Sequence, residues 1–361
     1  MIETFTIIAG LLALISVLRP FKHPKTVFWA FTIALILFDG MRWEMGTDWR
    51  TYFAYFAAAN ERAQSGFEPG FLLYTSTVRG LTDSYSAYLL LTTAIIYSGI
   101  FYSIFRMTQY SFFALFYLAG MLPWYSGSLR QMLATVFFTF AFKAAADRKL
   151  VRFIVFILVG TSFHTTALVF LPMYWLVGIS WSTFAAVFVV LSLLTVAARN
   201  LIALLEVIVA TAGFEKSFTN RLGGTLDLSN PLFGFLRKIL TIAGFAAFVL
   251  TARTSPKVSS AAWQRISFAM MLVTLSIILY YLGTYSITYA SSRLDIYVSI
   301  ISGGALVGLL DTSLEKRENR ILLLLLVASL VFVFYSRLEE MSLFHPYSSV
   351  FFNADLHRDL Y

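Results

Sequence analysis

Two arginines and two proton acceptors are the residues of this sequence that could do chemistry. Arg130 and Arg293 each lie in or beside a strongly apolar stretch, and a guanidinium group binds phosphate oxygens through two parallel N–H donors. Asp48 and His164 can each take the proton of an attacking hydroxyl. Arginines combined with one base suit sugar transfer from a diphosphate, because the charge on the leaving diphosphate grows in the transition state.

Further charged and polar residues lie near the ends of the apolar stretches. We expect the following to bind substrate: Arg42, Glu44, Arg50, Glu68 and Gln131. Four of the candidate residues could instead have purely structural roles. Asp48 is a favoured N-cap for a helix that begins at Trp49, and Glu68 precedes a proline as helix-starting residues do. Arg130 could extend to lipid headgroups, and His164 could be a hydrogen-bonded core residue.

The composition places these residues in a membrane protein. Of 361 residues, 59% are hydrophobic and 13% are charged, whereas soluble domains carry about 25% charged residues. This excludes a soluble enzyme and a nucleic-acid-binding domain, and it predicts an all-α polytopic protein with one integral membrane domain over residues 1–361. Cysteine is absent, which excludes thiolate sites. The chemistry requires no cofactor, although the acidic residues around Asp48 could bind a metal ion.

Apolar runs and basic loops predict the membrane topology. We expect spans near residues 4–18, 26–38, 86–105, 110–124, 129–146, 182–198, 232–252, 266–282, 285–310 and 321–336. Basic residues after the first, third and fifth spans place those loops in the cytoplasm and the N-terminus outside. The later basic loops stay cytoplasmic only if residues 153–177 cross an even number of times. We therefore expect two short half-helices that meet near His164, a broken re-entrant helix among about 10–12 transmembrane helices.

Two long loops, residues 39–85 and residues 199–231, fall on the outer, periplasmic face. The first contains an aromatic stripe at helical spacing after Asp48, which predicts an amphipathic helix in the headgroup layer. The candidate residues gather on this outer side. A transporter would instead carry charges on both sides of a central cavity, so enzyme chemistry at the outer surface is the favoured interpretation.

Short motifs, taken in their order along the chain, resemble those of the EpsG-like, Wzy-type bacterial polysaccharide polymerases. The motifs are Gly46-Thr47-Asp48-Trp49 with Tyr52 and Phe56, Glu68-Pro69-Gly70-Phe71, Arg130-Gln131 with Ala134, Phe163-His164-Thr165-Thr166-Ala167, Ser292-Arg293-Leu294 with Tyr297, and Phe344-His345-Pro346-Tyr347. The resemblance covers nearly the whole chain.

The resemblance implies a multi-pass, GT-C-like glycosyltransferase of the bacterial cytoplasmic (inner) membrane with its active site facing the periplasm. Its donor and acceptor would be undecaprenyl-diphosphate-linked oligosaccharides, which it would join into O-antigen or exopolysaccharide. Membrane lipids and a chain-length regulator would be further partners, and nucleic acid would not.

The resemblance also implies roles for individual residues. Arg130 and Arg293 would bind the diphosphate. Asp48 or His164 would be the base. Glu68 would hold sugar hydroxyls, and Tyr297 would join the substrate site. Another lipid-linked-sugar glycosyltransferase or an O-antigen ligase is the alternative among enzymes, and a polysaccharide flippase or transporter is the alternative outside them.

Overall fold

The computed structural model describes residues 2–18, 21–46, 48–58, 66–108, 112–121, 126–180 and 348–351, with scattered positions between 182 and 193 and between 268 and 304. The regular elements in these residues are all helical, which confirms the predicted all-α class. The strand-like pairing found among them is an isolated antiparallel bridge between Arg42 and Ser349.

The described chain contains eight α-helices and a 3-10 helix. They are α1 (Ile2–Leu18), α2 (Pro24–Gly40), α3 (Trp49–Ala57), α4 (Pro69–Leu81), α5 (Tyr85–Thr108), α6 (Phe112–Met121), α7 (Leu129–Ala146), α8 (Leu150–Phe163) and the 3-10 helix Thr165–Leu176. Helices α1, α2, α5, α6 and α7 coincide with the first five predicted spans to within a few residues.

Membrane-spanning capacity can be assessed by helix length and apolar composition. Among the described residues, Tyr85–Met107 within α5 is the one segment that meets both criteria for crossing a bilayer, and α8 and the 3-10 helix are shorter apolar helices. The loop 199–231 and the spans predicted beyond residue 181 lie outside the described residues, apart from the scattered positions. The total number of spans therefore stays a prediction.

Helix α7 lies at the centre of this group of helices. It packs against α5, α8 and the 3-10 helix, and it buries side chains all around its axis. A helix with apolar residues on every side is buried rather than amphipathic. Ala134 and Ala141 are fully buried in α7, and such small side chains allow neighbouring helices to approach closely. Arg130 and Gln131 enter the bundle at the N-terminal end of this central helix.

Helix α8 and the 3-10 helix form an antiparallel hairpin. His164, with extended backbone (φ −156°, ψ 120°), separates the two elements. At the opposite end, the Arg148 guanidinium donates to the carbonyl oxygens of Tyr174 (3.2 Å) and Val177 (2.8 Å). The Tyr174 hydroxyl donates to the Arg148 carbonyl at 3.0 Å. Two half-helices thus meet at His164, and their insertion into a membrane stays a prediction.

The predicted outer loop 39–85 folds around two short helices, α3 and α4. Helix α3 contains the aromatic stripe and buries Trp49, Tyr52 and Phe56, with α4 and α5 as its neighbours. The C-terminal segment 348–351 folds back onto the end of α2. There the Trp43 N–H donates to the Ser348 carbonyl (3.0 Å) and the Val350 N–H donates to the Met41 carbonyl (3.2 Å).

Candidate functional site

An ion pair between Glu68 and Arg130 forms the centre of the candidate site. Arg130 is the second residue of α7, and its Nη1 lies 2.7 Å from Oε2 of Glu68. The Arg130 side chain is 23% exposed and that of Glu68 is 10% exposed, so the pair is largely but not fully shielded from water. Glu68 occupies the N-cap position of α4, but its carboxylate makes no capping hydrogen bond and is directed to Arg130 instead.

The second carboxylate oxygen of Glu68 reaches the break in the hairpin. Oε1 accepts a hydrogen bond from the Thr165 backbone N–H at 3.1 Å. The first N–H groups of a helix lack partners within the helix, and Glu68 satisfies one of them. Gly70 permits this approach, because a Cβ at that position would lie 2.7 Å from the Ser162 carbonyl oxygen. Glu68 therefore connects the start of α7 to the residue that follows His164.

Residues of the first outer loop enclose the Arg130 guanidinium. Its central carbon lies 4.3 Å from the ring centroid of Phe67, which is a cation–π contact. The charge of Arg130 acts on the largely buried Tyr52 hydroxyl. The Nε atom of Arg130 is buried and has no hydrogen-bond partner among the described residues. Such an orphaned donor costs roughly 1–3 kcal/mol, which a ligand acceptor would recover.

The electrostatics of the site fix the charge states of Glu68 and Tyr52. Burial raises the pKa of the Glu68 carboxyl, but hydrogen bonds from two backbone N–H groups and the charge of Arg130 outweigh burial and hold the pKa below its ordinary value. Burial raises the pKa of the Tyr52 hydroxyl, and Arg130 offsets only part of that rise. At neutral pH, Glu68 is therefore a carboxylate of low basicity and Tyr52 is a neutral hydroxyl.

His164 begins a second group of polar contacts at the hairpin break. Its Nδ1 lies 2.7 Å from Oγ1 of Thr166 and 3.4 Å from the Thr166 backbone N. The Thr166 hydroxyl donates to the Tyr297 hydroxyl at 3.1 Å. Tyr297 is fully buried, and its ring contacts Phe138 and Phe170. The contacts at Nδ1 therefore fix the orientation of the imidazole.

Asp48 lies at the N-cap position of α3, as predicted, but its side chain makes no capping hydrogen bond. It is partly exposed, and its charge acts on the Tyr52 hydroxyl one turn further along α3. Gly46 has a φ of +99°, and a Cβ there would lie 2.9 Å from Cα of Gly127, so this position requires glycine. The contact brings the loop that carries Asp48 against the turn that precedes α7.

Arg42 forms a separate, deeply buried ion pair. Its Nη1 lies 3.1 Å from Oδ2 of Asp39, with side chains 3% and 7% exposed. Its Nη2 donates to the Ser126 carbonyl at 2.5 Å, and the Tyr97 hydroxyl donates to Asp39 at 3.1 Å. Arg42 thereby joins the end of α2 to the turn before α7, and its backbone pairs with Ser349.

The remaining predicted site residues do not take part in the Glu68–Arg130 ion pair. Gln131 is fully buried in α7, Arg50 is exposed on α3, and Glu44 is half-buried with a φ of 48°. Arg293 lies outside the described residues. Tyr52 and Thr166 are functional candidates to which the sequence assigns no role, although both occur in the resembling motifs.

The arrangement can bind an anion and move a proton. Arg130 supplies the cationic donor, Glu68 connects it to the hairpin break beside His164, and His164 and Asp48 have side chains that can accept a proton. Within the described part of the chain, no group of three or more His, Asp or Glu side chains could hold a metal ion.

Comparison with known proteins gives a family for the chain. Neither the search of curated proteins nor the search of solved structures returns a match. A family model described as the EpsG family matches residues 25–349. This match includes Asp48, Glu68, Arg130, His164 and Tyr297. Because it spans most of the sequence, the chain belongs to the EpsG family.

Proposed function

We propose that this chain is a membrane glycosyltransferase that polymerises undecaprenyl-diphosphate-linked oligosaccharide repeat units. The product would be a surface polysaccharide, O-antigen or exopolysaccharide, made at the outer side of the bacterial cytoplasmic membrane. Membership of the EpsG family supports polysaccharide polymerisation at a membrane. The helical architecture supports a multi-pass, GT-C-like organisation in which the hairpin at His164 enters the membrane from the outer side.

The observation that carries this proposal is the position of Arg130. Its guanidinium is largely shielded from water but still 23% exposed, and it stands at the start of the central helix beside the hairpin break. The N–H donors on the exposed part of the guanidinium would bind the diphosphate oxygens. In this shielded position the attraction for a departing diphosphate is stronger than in water.

The reaction requires one bond to break and one to form. The bond between the anomeric carbon and the diphosphate oxygen breaks, and the lipid diphosphate leaves against Arg130. A hydroxyl of the acceptor repeat unit forms the new glycosidic bond, and its proton passes to His164 Nε2 or to the Asp48 carboxylate. The contact of His164 with Thr166, whose hydroxyl donates to Tyr297, favours an oriented imidazole, whereas Asp48 is partly exposed.

The other candidate residues have supporting roles in this scheme. Arg293 would be the second diphosphate-binding arginine, because Tyr297, four residues later, contacts the Thr166 hydroxyl. Glu68 would hold a sugar hydroxyl with the carboxylate that also holds Arg130. Arg42 would stabilise the turn before α7, and Glu44 and Arg50 would contact the substrate. Gln131 and Tyr297 are fully buried, so they would support the site from within the helix packing.

A deletion strain distinguishes this function from its alternatives. Loss of a polymerase leaves single repeat units on the lipid core, loss of a ligase leaves long unattached chains, and loss of a flippase leaves neither outside the cytoplasm. We expect the first result, with complementation by the wild-type chain. The purified protein should then convert a defined lipid-diphosphate repeat unit into a ladder of products on a gel. Either of the other two deletion phenotypes would contradict the proposal.

A further inference from the structure

The base of the hairpin, where α7 turns into α8, carries an excess of positive charge. Arg148, Lys149 and Arg152 are close together in the chain, and all three are exposed. The adjacent carboxylate of Asp147 pairs with Lys143 at 2.6 Å. Among the described residues, Lys149 and Arg152 form no ion pair. Two cationic side chains are therefore available to an anion from outside the chain.

The fold fixes the position of these charges beside an exposed tryptophan. The Arg148 guanidinium donates to the Tyr174 and Val177 carbonyl oxygens, and its central carbon lies 5.1 Å from the Tyr174 ring centroid. Phe153 of α8 contacts the same ring, with centroids 5.4 Å apart. Trp175 follows Tyr174 and is 61% exposed, so it lies beside the start of α8. Exposed tryptophans are enriched at the headgroup level of membranes.

Beyond its charged start, the exposed face of α8 is apolar. Val151, Val155 and Leu158 are all exposed, the last two at 50% and 54%. Their spacing of four and three residues places them on one face of the helix. At 1.5 Å per residue, Leu158 lies about 9 Å further along the helix axis than Arg152. Charge followed by apolar surface over this distance matches the change from the headgroup layer of a bilayer to its acyl chains.

The charges at the start of α8 repel one another in the absence of an anion. Lys149 is the N-cap residue and Arg152 lies three residues later, a spacing at which side chains on a helix are neighbours. The first turn of α8 contains no acidic residue, and cations at the start of a helix also oppose its dipole. A net negative ligand would relieve both effects, whereas a zwitterionic headgroup carries a positive group that offsets its phosphate.

We propose that the surface formed by Lys149, Arg152, Val155, Leu158 and Trp175 binds an anionic phospholipid. Lys149 and Arg152 bind the phosphate through charge-assisted hydrogen bonds. Trp175 contacts the headgroup region, and an acyl chain lies along Val155 and Leu158. This surface is at the end of the hairpin away from the candidate functional site, so the proposal does not depend on the reaction proposed above.

The test measures lipid binding by the full-length protein in detergent. The probes are phosphatidylglycerol and phosphatidylcholine with the same acyl chains. The readouts are the lipid molecules retained in native mass spectrometry and the rise in melting temperature on titration. We expect the wild type to prefer phosphatidylglycerol. Lys149→Gln combined with Arg152→Gln should weaken phosphatidylglycerol binding roughly tenfold and leave the melting temperature without lipid unchanged, because both side chains are exposed and form no ion pair among the described residues.

The matched control combines Lys22→Gln with Lys25→Gln. Both lysines are exposed near the start of α2, and this variant loses the same two charges. We expect it to bind phosphatidylglycerol as the wild type does. Equal losses in the two double variants would overturn the proposal, because they would show attraction to net charge alone. Unchanged binding when Lys149 and Arg152 are replaced would also overturn it, and so would a wild type without preference for phosphatidylglycerol.

Glycerol 1-phosphate separates a phospholipid from a free phosphate ester. It carries the same phosphate and lacks acyl chains, so we expect no rise in melting temperature at concentrations at which phosphatidylglycerol saturates the protein. Equal affinity for the two ligands would overturn the lipid site, because Val155 and Leu158 would then contribute nothing to binding.

Discussion

Glu68 and Arg130 are separated by 62 residues in the chain, and their side chains meet at 2.7 Å. Each stands at the start of a helix, Glu68 before α4 and Arg130 in the first turn of α7. The same carboxylate reaches the Thr165 N–H next to His164. One side chain thus links the arginine proposed to bind diphosphate to the residue proposed to take a proton.

Replacing Arg130 by lysine tests the need for a guanidinium fork. Arg130→Lys keeps the positive charge and can keep the ion pair with Glu68, but it loses the planar set of donors. We expect the variant to fold and to lose most chain extension in the gel-ladder assay. Arg106→Lys is the control, because Arg106 is an exposed residue at the end of α5 that contacts Tyr102. Near-normal polymer from Arg130→Lys would remove Arg130 from the diphosphate site.

Replacing Glu68 by glutamine tests the structural value of the ion pair. Glu68→Gln leaves the largely shielded Arg130 charge without its carboxylate, so we expect the free energy of unfolding to fall by about 1–3 kcal/mol. Asp83→Asn is the matched control, because Asp83 pairs with Arg79 on the surface with a side chain that is 91% exposed, and exposed pairs contribute little. Thermal unfolding in detergent measures the stability of both variants. If the two variants lost the same free energy of unfolding, the Glu68–Arg130 pair would stabilise the protein no more than the exposed pair does.

The pH dependence of stability follows from the lowered pKa of Glu68. A carboxyl whose pKa falls on folding stabilises the protein fully above its unfolded pKa and loses that contribution as the pH falls through the folded pKa. The ordinary value is 4.5, and the folded value lies below it. We therefore expect the difference in melting temperature between wild type and Glu68→Gln to be constant from pH 7 to pH 5 and to shrink below 4.5. A difference that already disappears near pH 6 would contradict this assignment.

Asp48 and His164 can be distinguished by separate substitutions. Asparagine serves at an N-cap position about as well as aspartate, so Asp48→Asn should change stability by less than about 0.5 kcal/mol. If His164 is the base, His164→Ala should abolish chain extension and Asp48→Asn should retain a large part of it. Loss of activity in Asp48→Asn alone, with activity retained in His164→Ala, would assign the base to Asp48 instead.

Much of the helical framework follows from the sequence, because it depends on local patterns. Apolar run lengths predict α5 and α7, and charge parity across the loops predicts a chain reversal near His164, where the hairpin is found. The N-cap position of Asp48 also follows from residue type. These features need only neighbouring residues or simple counting of charged loops.

The contacts of the site cannot be predicted from local sequence patterns in this way. The pairing of Glu68 with Arg130 depends on how α4 packs against α8 and how α8 packs against α7, and no local pattern contains that information. For the same reason, Glu68 looks like a helix cap in the sequence and acts as a bridge in the structure. Tyr52 looks like one more ring of an aromatic stripe, and only the packing of α3 brings it against Phe67, the ring on which Arg130 stacks.

Two glycines of α4 provide a final test of how Glu68 is held between Arg130 and Thr165. A Cβ at Gly70 would lie 2.7 Å from the Ser162 carbonyl oxygen and 2.9 Å from the Ser162 carbonyl carbon, which is backbone and cannot rotate away. Gly70→Ala should therefore push α4 away from the hairpin, separate Glu68 from Thr165, and reduce chain extension at least as strongly as Glu68→Gln does.

Gly80 lies ten residues further along the same helix, and nothing lies within 4 Å of a Cβ built there. Alanine is a better helix former than glycine, so Gly80→Ala should raise the free energy of unfolding by roughly 0.5–1 kcal/mol and leave activity unchanged. The gel-ladder assay and thermal unfolding measure both variants. If Gly70→Ala behaved like Gly80→Ala, the close approach of α4 to Ser162 would not be what holds Glu68 at the hairpin break.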